Sequence, residues 1–234
     1  MEKRTKLYEG KAKILYETDD PNLLIQYFKD AATAFNALKK GTIVNKGILN
    51  NQISSFIFQL LEREGVKTHY VQTLNEREML VKRLKIFPLE VVVRNILAGS
   101  LAKKFNLEEG RTLPFPILEF YYKDDSLGDP LIIEDHIRAF GWAAPQELEQ
   151  IKQMTLKVNQ ILSAFLLAKG ILLVDFKLEF GAHQGEILLG DEFTPDGSRL
   201  WDAQTGEKMD KDRFRRDLGK VEEAYQEVCR RITG

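Results

Sequence analysis

Apolar residues recur along the chain with two different periods, and the change of period marks its elements. Residues 7–17 alternate loosely around Gly10-Lys11-Ala12-Lys13, and Asp19-Asp20-Pro21-Asn22 is a turn signal before the apolar run 23–28. This predicts an antiparallel hairpin. Over 45–64 the spacing becomes helical, with Leu49, Ile53, Phe56 and Leu60 three and four apart and Gly65 placed as a C′ stop. Short strands are predicted at 69–72 and 79–86, and Pro88 marks a joint between a β-rich lobe, residues 1–87, and a larger α+β lobe, residues 88–234.

The second lobe opens with the β-prone run 89–96. Ala98-Gly99-Ser100 and a short helix at 101–105 follow, and Pro114 and Pro116 punctuate a loop before a strand at 117–123. Pro145 suits the first turn of a long helix whose face carries Leu148, Ile151, Thr155, Val158, Leu162 and Phe165, ended by Gly170. Residues 171–180 and 186–193 predict paired strands joined by Ala182-His183-Gln184-Gly185. One last helix is predicted from about Asp210, carrying Phe214, Leu218, Val221, Tyr225, Val228 and Ile232.

Composition narrows the functional classes. The 34 Lys and Arg against 35 Asp and Glu leave a net charge of −1, without the basic surplus of a nucleic-acid-binding protein. Cys229 is the one cysteine, which excludes an internal disulfide and a multi-cysteine zinc site and reads as apolar filler on the last helix. His69, His136 and His183 lie far apart and read as surface or structural residues. The start lacks the apolar stretch of a signal peptide, and Lys169 and Gly170 interrupt the longest apolar segment, 161–174. A soluble, cytoplasmic protein that engages neither nucleic acid nor membrane is expected.

The richest segment is Leu173-Val174-Asp175-Phe176-Lys177-Leu178-Glu179-Phe180-Gly181. On a strand, Asp175, Lys177 and Glu179 share one face while Val174, Phe176, Leu178 and Phe180 share the other. That charged row is either a solvated face laced by ion pairs or, with Asp191-Glu192 ending the neighbouring strand, a Mg²⁺ site. Spacing alone leaves both readings open. Glu90 and Arg94 are four apart on the strand before Gly99-Ser100, where a helix start favours an anion; the plainer alternative is a Glu90–Arg94 ion pair and Ser100 as an N-cap. Lys11 and Lys13 would flank one side of a strand with Gly10 permitting close approach, although solvated surface lysines satisfy the same pattern. Neither a GxxxxGK[ST] phosphate loop nor GxGxxG is present.

These segments resemble the SAICAR synthetase (phosphoribosylaminoimidazole-succinocarboxamide synthase) family. The match is carried by Pro88 to Ser100 and Leu173 to Gly181, by Leu7-Tyr8-Glu9-Gly10-Lys11-Ala12-Lys13, by the run from Gly190-Asp191-Glu192 to Trp201-Asp202, and by Met209-Asp210-Lys211-Asp212-Arg213-Phe214-Arg215-Arg216. It spans nearly the whole chain in order. In Asp30 to Ala37, Ala37 stands where many relatives have glycine, so the shape of that loop departs from the family pattern.

The resemblance implies an ATP-grasp-like two-lobe α+β fold and an ATP-dependent ligase of de novo purine biosynthesis. Such an enzyme joins L-aspartate to the carboxylate of carboxyaminoimidazole ribonucleotide (CAIR), with ATP and Mg²⁺. It further implies ATP-binding by Gly10, Lys11, Ala12, Lys13, Lys82 and Leu84, Mg²⁺ at Glu179 and Asp191, and Lys177 as the catalytic cation. CAIR would meet Glu90, Arg94, Ser100, Asp175 and Arg199, aspartate would meet Lys123 and Asp129, and the chain would form a homo-oligomer, a dimer. A kinase-like reading lacks HRD and DFG segments, and an RNA-binding module lacks a basic surplus.

Overall fold

A computed structural model describes residues 2–34 and 38–234, so the expected departure at Ala37 lies outside the described residues. Before Pro88 the chain forms β1 (Lys6–Glu9), β2 (Lys13–Glu17), β3 (Leu23–Phe28), β4 (Ala31–Ala34), β5 (Lys39–Thr42), α1 (Lys46–Arg63), β6 (Tyr70–Asn75), β7 (Glu78–Lys82) and β8 (Lys85–Ile86). After it come β9 (Leu89–Ile96), α2 (Gly99–Phe105), β10 (Thr112–Tyr122), β11 (Leu131–Ile132), α3 (Glu134–Ala139), α4 (Pro145–Ala168) and β12 (Ile171–Leu178). The chain continues through β13 (Phe180–His183), β14 (Glu186–Leu189), β15 (Ser198–Asp202), α5 (Asp212–Arg215) and α6 (Val221–Thr233).

Two antiparallel five-stranded sheets give the expected two-lobed α+β architecture. The first has the order β1-β2-β3-β7-β6 and the second β11-β10-β9-β12-β15. A smaller β14-β13-β8 sheet ties them, because β8 precedes Pro88 while its partner β13 lies far downstream. One apolar cluster runs through both lobes, from Leu24, Phe28 and Ile57 to Val93, Leu162 and Leu200. Among the described residues no helix is long and apolar enough to cross a membrane.

Helix α1 packs on the first sheet and is covered by α6, so its buried arc is wider than the predicted stripe. Ile53, Ile57, Phe58 and Leu61 are buried together with Asn51 and Ser54. Asn51 donates to the Asn75 carbonyl (2.9 Å) and Ser54 accepts the Phe193 N–H (3.2 Å), while the Asn51 Oδ1 has no hydrogen-bond partner among the described residues. Helix α4 buries the predicted Leu148, Ile151, Val158 and Leu162, but its last buried residue is Leu166 instead of Phe165.

Four expectations are corrected. Residues 10–12 form the turn between β1 and β2 and not strand, closed by the Gly10 N–H on the Lys13 carbonyl (2.9 Å). Pro114 and Pro116 lie within β10, in the stretch between Thr112 and Ile117 where its register with β9 lapses and no ladder donor is needed. The expected hairpin partner of 171–180 is wrong: β12 ends at Leu178 and pairs with β9 and β15, while β13 pairs with β14. The single C-terminal helix is two, α5 and α6, because Asp217, Gly219 and Lys220 between them adopt positive φ.

Candidate active site

A cavity of about 370 Å³ opens between the lobes. Leu15, Leu24, Val81, Leu84 and Ile86 line its apolar part, and Lys13, Lys177, Glu179 and Asp191 are among the charged residues of the same lining. Gly181 is needed beside this cavity, since a Cβ there would lie 2.7 Å from Leu84 Cβ and 3.0 Å from the Lys85 carbonyl oxygen. Of the expected nucleotide-binding residues, Gly10, Lys11, Ala12, Lys13, Lys82 and Leu84 all line this cavity. Lys11 does not share a strand with Lys13 as alternation implied. It lies in the turn, where its ammonium meets Asp125 of the facing lobe at 2.6 Å.

Strand β12 delivers Asp175 and Lys177, and Glu179 follows at the break before β13. Asp175 and Glu179 are 4 % and 3 % exposed, which removes the reading of a solvated charged face. Residues Leu173 and Asp175 bracket a register shift against β15. Val174 consequently joins Ile96, Ala98 and Trp201 in a separate cluster instead of sharing the face of Phe176 and Leu178.

Lys177 is the hub of the charged end. Its ammonium contacts Glu179 at 2.5 Å, Glu90 at 2.9 Å and Asp191 at 3.4 Å. Burial opposes its charge, but Glu179 and Glu90 outweigh that and raise its pKa above the usual lysine value. Burial likewise opposes ionisation of Glu179, yet Lys177, Lys123 and Lys13 hold its carboxyl below the usual range. Lys13 is pulled down by burial against the attraction of Glu192 and Glu179, and it pairs with Asp191. Asp191 stands in the left-handed region, with φ of 59°, a local strain typical of functional sites.

The buried Glu179 and the partly buried Asp191, both touching one ammonium, form a donor set suited to Mg²⁺, which takes one or two carboxylates and completes its shell with phosphate and water oxygens. Among the described residues no third acidic, histidine or cysteine side chain completes a protein-only cage. Glu179 and Asp191 therefore fit a metal that arrives with a phosphorylated ligand.

A second cavity, of about 230 Å³, is lined by Asp175, Lys177, Asp196, Ser198, Arg199 and Arg215. Arg199 bonds both oxygens of Asp175 (3.1 and 2.9 Å), and Arg94 bonds Asp175 at 3.1 Å. The expected pair of guanidiniums is thus assembled on one carboxylate. Burial acts against the Arg199 charge, and Asp175 with Asp212 more than offsets it, raising its pKa. The suggested Glu90–Arg94 pair does not form: Glu90 binds Lys177, while Arg94 binds Glu119 at 2.7 Å and Tyr121 at 3.1 Å. Ser100 is not an N-cap. Helix α2 begins at Gly99 with Ala98 as its cap, Ser100 accepts from Arg94 (3.2 Å), and the Gly99 N–H is taken by Glu109 (2.9 Å).

Lys123 lines the first cavity and pairs with Glu179 at 2.7 Å. Asp129 is not beside it: its carboxylate accepts the Asp124 N–H (2.9 Å) within its own loop. Sequence reasoning missed Asp212, a buried carboxylate bonded to Arg199 (3.0 Å) and Arg215 (2.6 Å). It also missed Asp196, which is buried against Lys46 (2.5 Å) and Tyr225 (2.9 Å). Both acids lie in segments that carried the family resemblance, the only signal that pointed to them.

The sequence profile of SAICAR synthetase matches residues 6–232. A phosphoribosylaminoimidazole-succinocarboxamide synthase from Thermoanaerobacter sp. (strain X514) is 58% identical over 234 residues, covering 100% of both chains. The crystal structure of the enzyme of that name from Ehrlichia chaffeensis superposes with a TM-score of 0.96 at 50% identity, covering 97% of this chain and 98% of that one. A SAICAR synthetase in complex with ADP superposes with a TM-score of 0.94 at 50% identity, covering 97% of each chain. With its two lobes, interlobe cavity and charged hub, this chain belongs to the SAICAR synthetase family of ATP-dependent ligases.

Proposed function

We propose that the two cavities are successive parts of one reaction path, in which ATP activates the carboxylate of CAIR and the amine of L-aspartate displaces phosphate to form the amide. The observation that carries this reading is Lys177, which lines both cavities. A phosphoryl group held in the first and a carboxylate held in the second would meet at its ammonium. ATP lies in the first cavity, its base against Leu84 and the Lys82 backbone and its phosphates beside Lys13; the ADP complex of a relative supports a nucleotide here.

A carboxylate is a poor electrophile, so its oxygen must first accept the terminal phosphoryl group or reach a similarly activated state. The amine then attacks the carbon, the C–N bond forms as the C–O bond to phosphate breaks, and the proton shed by nitrogen leaves with the phosphate. Phosphoryl transfer depends mainly on positioning and charge neutralisation. Lys177 suits that task as a permanent cation, since its raised pKa makes it unfit as a base near neutrality. Glu179 and Asp191 would hold Mg²⁺, whose chemistry when bound is neutralisation of phosphate charge. Arg94, Arg199 and Ser100 grip the ribonucleotide phosphate, Asp175 and Glu90 orient its polar groups, and Lys123 attracts a carboxylate of aspartate. The division at Pro88, a cytoplasmic location and a homodimer belong to the same reading.

Lys13→Ala should raise the KM for ATP about tenfold or more while leaving that for aspartate nearly unchanged, the effect of losing one charged hydrogen bond. Steady-state kinetics with each substrate varied in turn checks this. An unchanged ATP dependence would remove Lys13 from the site.

A further inference from the structure

His69 stands in the lining of the first cavity. It is 4 % exposed, and among the described residues its Nε2 is buried with no hydrogen bond. Its backbone is pinned on both sides: the N–H donates to the Leu189 carbonyl (2.8 Å), and the carbonyl accepts the Lys82 N–H (2.7 Å). The ring meets Phe58 edge-on, with centroids 5.1 Å apart. A polar ring held this firmly and left unpaired within a protein is poised for a ligand, because buried polar groups are otherwise satisfied.

The surroundings select the ligand's chemistry. Burial, with the Lys13 and Lys82 ammoniums adding to it, pushes the imidazole pKa down to about 3. The ring is then neutral near pH 7, with one nitrogen donating and the other accepting. It is too weakly basic to serve as a general base there. Those two ammoniums disfavour a cation at the ring, and they serve a phosphate better than a neutral imidazole does. What remains is a flat, uncharged heteroaromatic group lying among Leu15, Leu24, Val81 and Leu84.

We propose that His69 is the residue that reads the nucleotide base, hydrogen-bonding the edge of adenine that carries N7 and the 6-amino group and so setting the preference for ATP. This rests on the assignment of the cavity to ATP. The test compares ATP with 7-deaza-ATP, which lacks the N7 acceptor, and with ITP, which lacks the 6-amino donor. Wild-type enzyme should disfavour at least one analogue by tenfold or more in kcat/KM. His69→Ala should shrink that ratio below about threefold, chiefly by raising the KM for ATP, with kcat little altered. His69→Gln, a neutral side chain that also donates and accepts, should restore part of the discrimination, and thermal melting of each variant shows that it is folded. Wild-type analogue ratios in a folded His69→Ala enzyme would overturn the proposal. If those ratios persist while Lys13→Ala still raises the KM for ATP, the role of His69 alone fails. If neither variant alters nucleotide dependence, the assignment of the cavity fails with it.

Discussion

Glu179→Gln should lower turnover by about a hundredfold or more, the scale seen when one group stabilising a transition-state charge is removed. Glu179 is one of the two carboxylates proposed to hold Mg²⁺, and it also balances Lys177 and Lys123 at 2.5 and 2.7 Å. The amide keeps the shape and an acceptor oxygen but removes the charge. It weakens the metal's hold and leaves the Lys177 and Lys123 ammoniums short of counter-charge. Breaking a buried ion pair destabilises by up to about 3–5 kcal/mol, so the assay belongs well below the variant's melting temperature. Because the Glu179 carboxyl is held below the usual range, it stays ionised throughout the neutral region. The deficit should therefore persist from pH 6 to pH 8. Near-normal turnover at limiting Mg²⁺ would remove Glu179 from the metal site.

Gly99→Ala should weaken CAIR binding about tenfold to a hundredfold, as Arg199→Ala should, with the double variant little worse than either. A Cβ at Gly99 would lie 2.4 Å from the Arg199 guanidinium carbon, and the glycine has φ of +57°. A long side chain can usually step aside from such a clash. Arg199 cannot do so without giving up Asp175 at 2.9 Å and Asp212 at 3.0 Å. The displaced guanidinium would lose the charged hydrogen bond proposed for it to the ribonucleotide phosphate, a loss of about 1.5–3 kcal/mol. Calorimetric titration of CAIR into each variant measures this directly. Wild-type affinity in Arg199→Ala would place the phosphate elsewhere.

The legible parts of the fold were those governed by local period. Strand β9 has the predicted bounds because Leu89, Val91 and Val93 bury one face in the core, and Gly170 ends α4 with φ of +72°. Alternation could not reveal that β12 gives way to β13 at Glu179, since period 2 continues while the pairing partners change. The C-terminal helix was over-extended because apolar spacing persists across 216–220, although Leu218 is 47 % exposed and the backbone there turns left-handed. At the site, Arg94, Asp175 and Lys177 were legible as charges within β-prone segments, and Arg199 only through the family resemblance. Their partners were not. Asp212 reaches Arg199 across a fold in the chain, and His69 and Lys13 come to line one cavity through strand pairings distant in sequence, β2 with β3 and β3 with β7.

The central claim is that one cleft couples ATP cleavage to joining CAIR with aspartate, and ADP release measures it most directly. With ATP and Mg²⁺ present, rapid ADP formation is expected only when CAIR and L-aspartate are both added, with one SAICAR formed per ADP. Equally fast ADP release with either substrate alone, or with neither, would contradict the account.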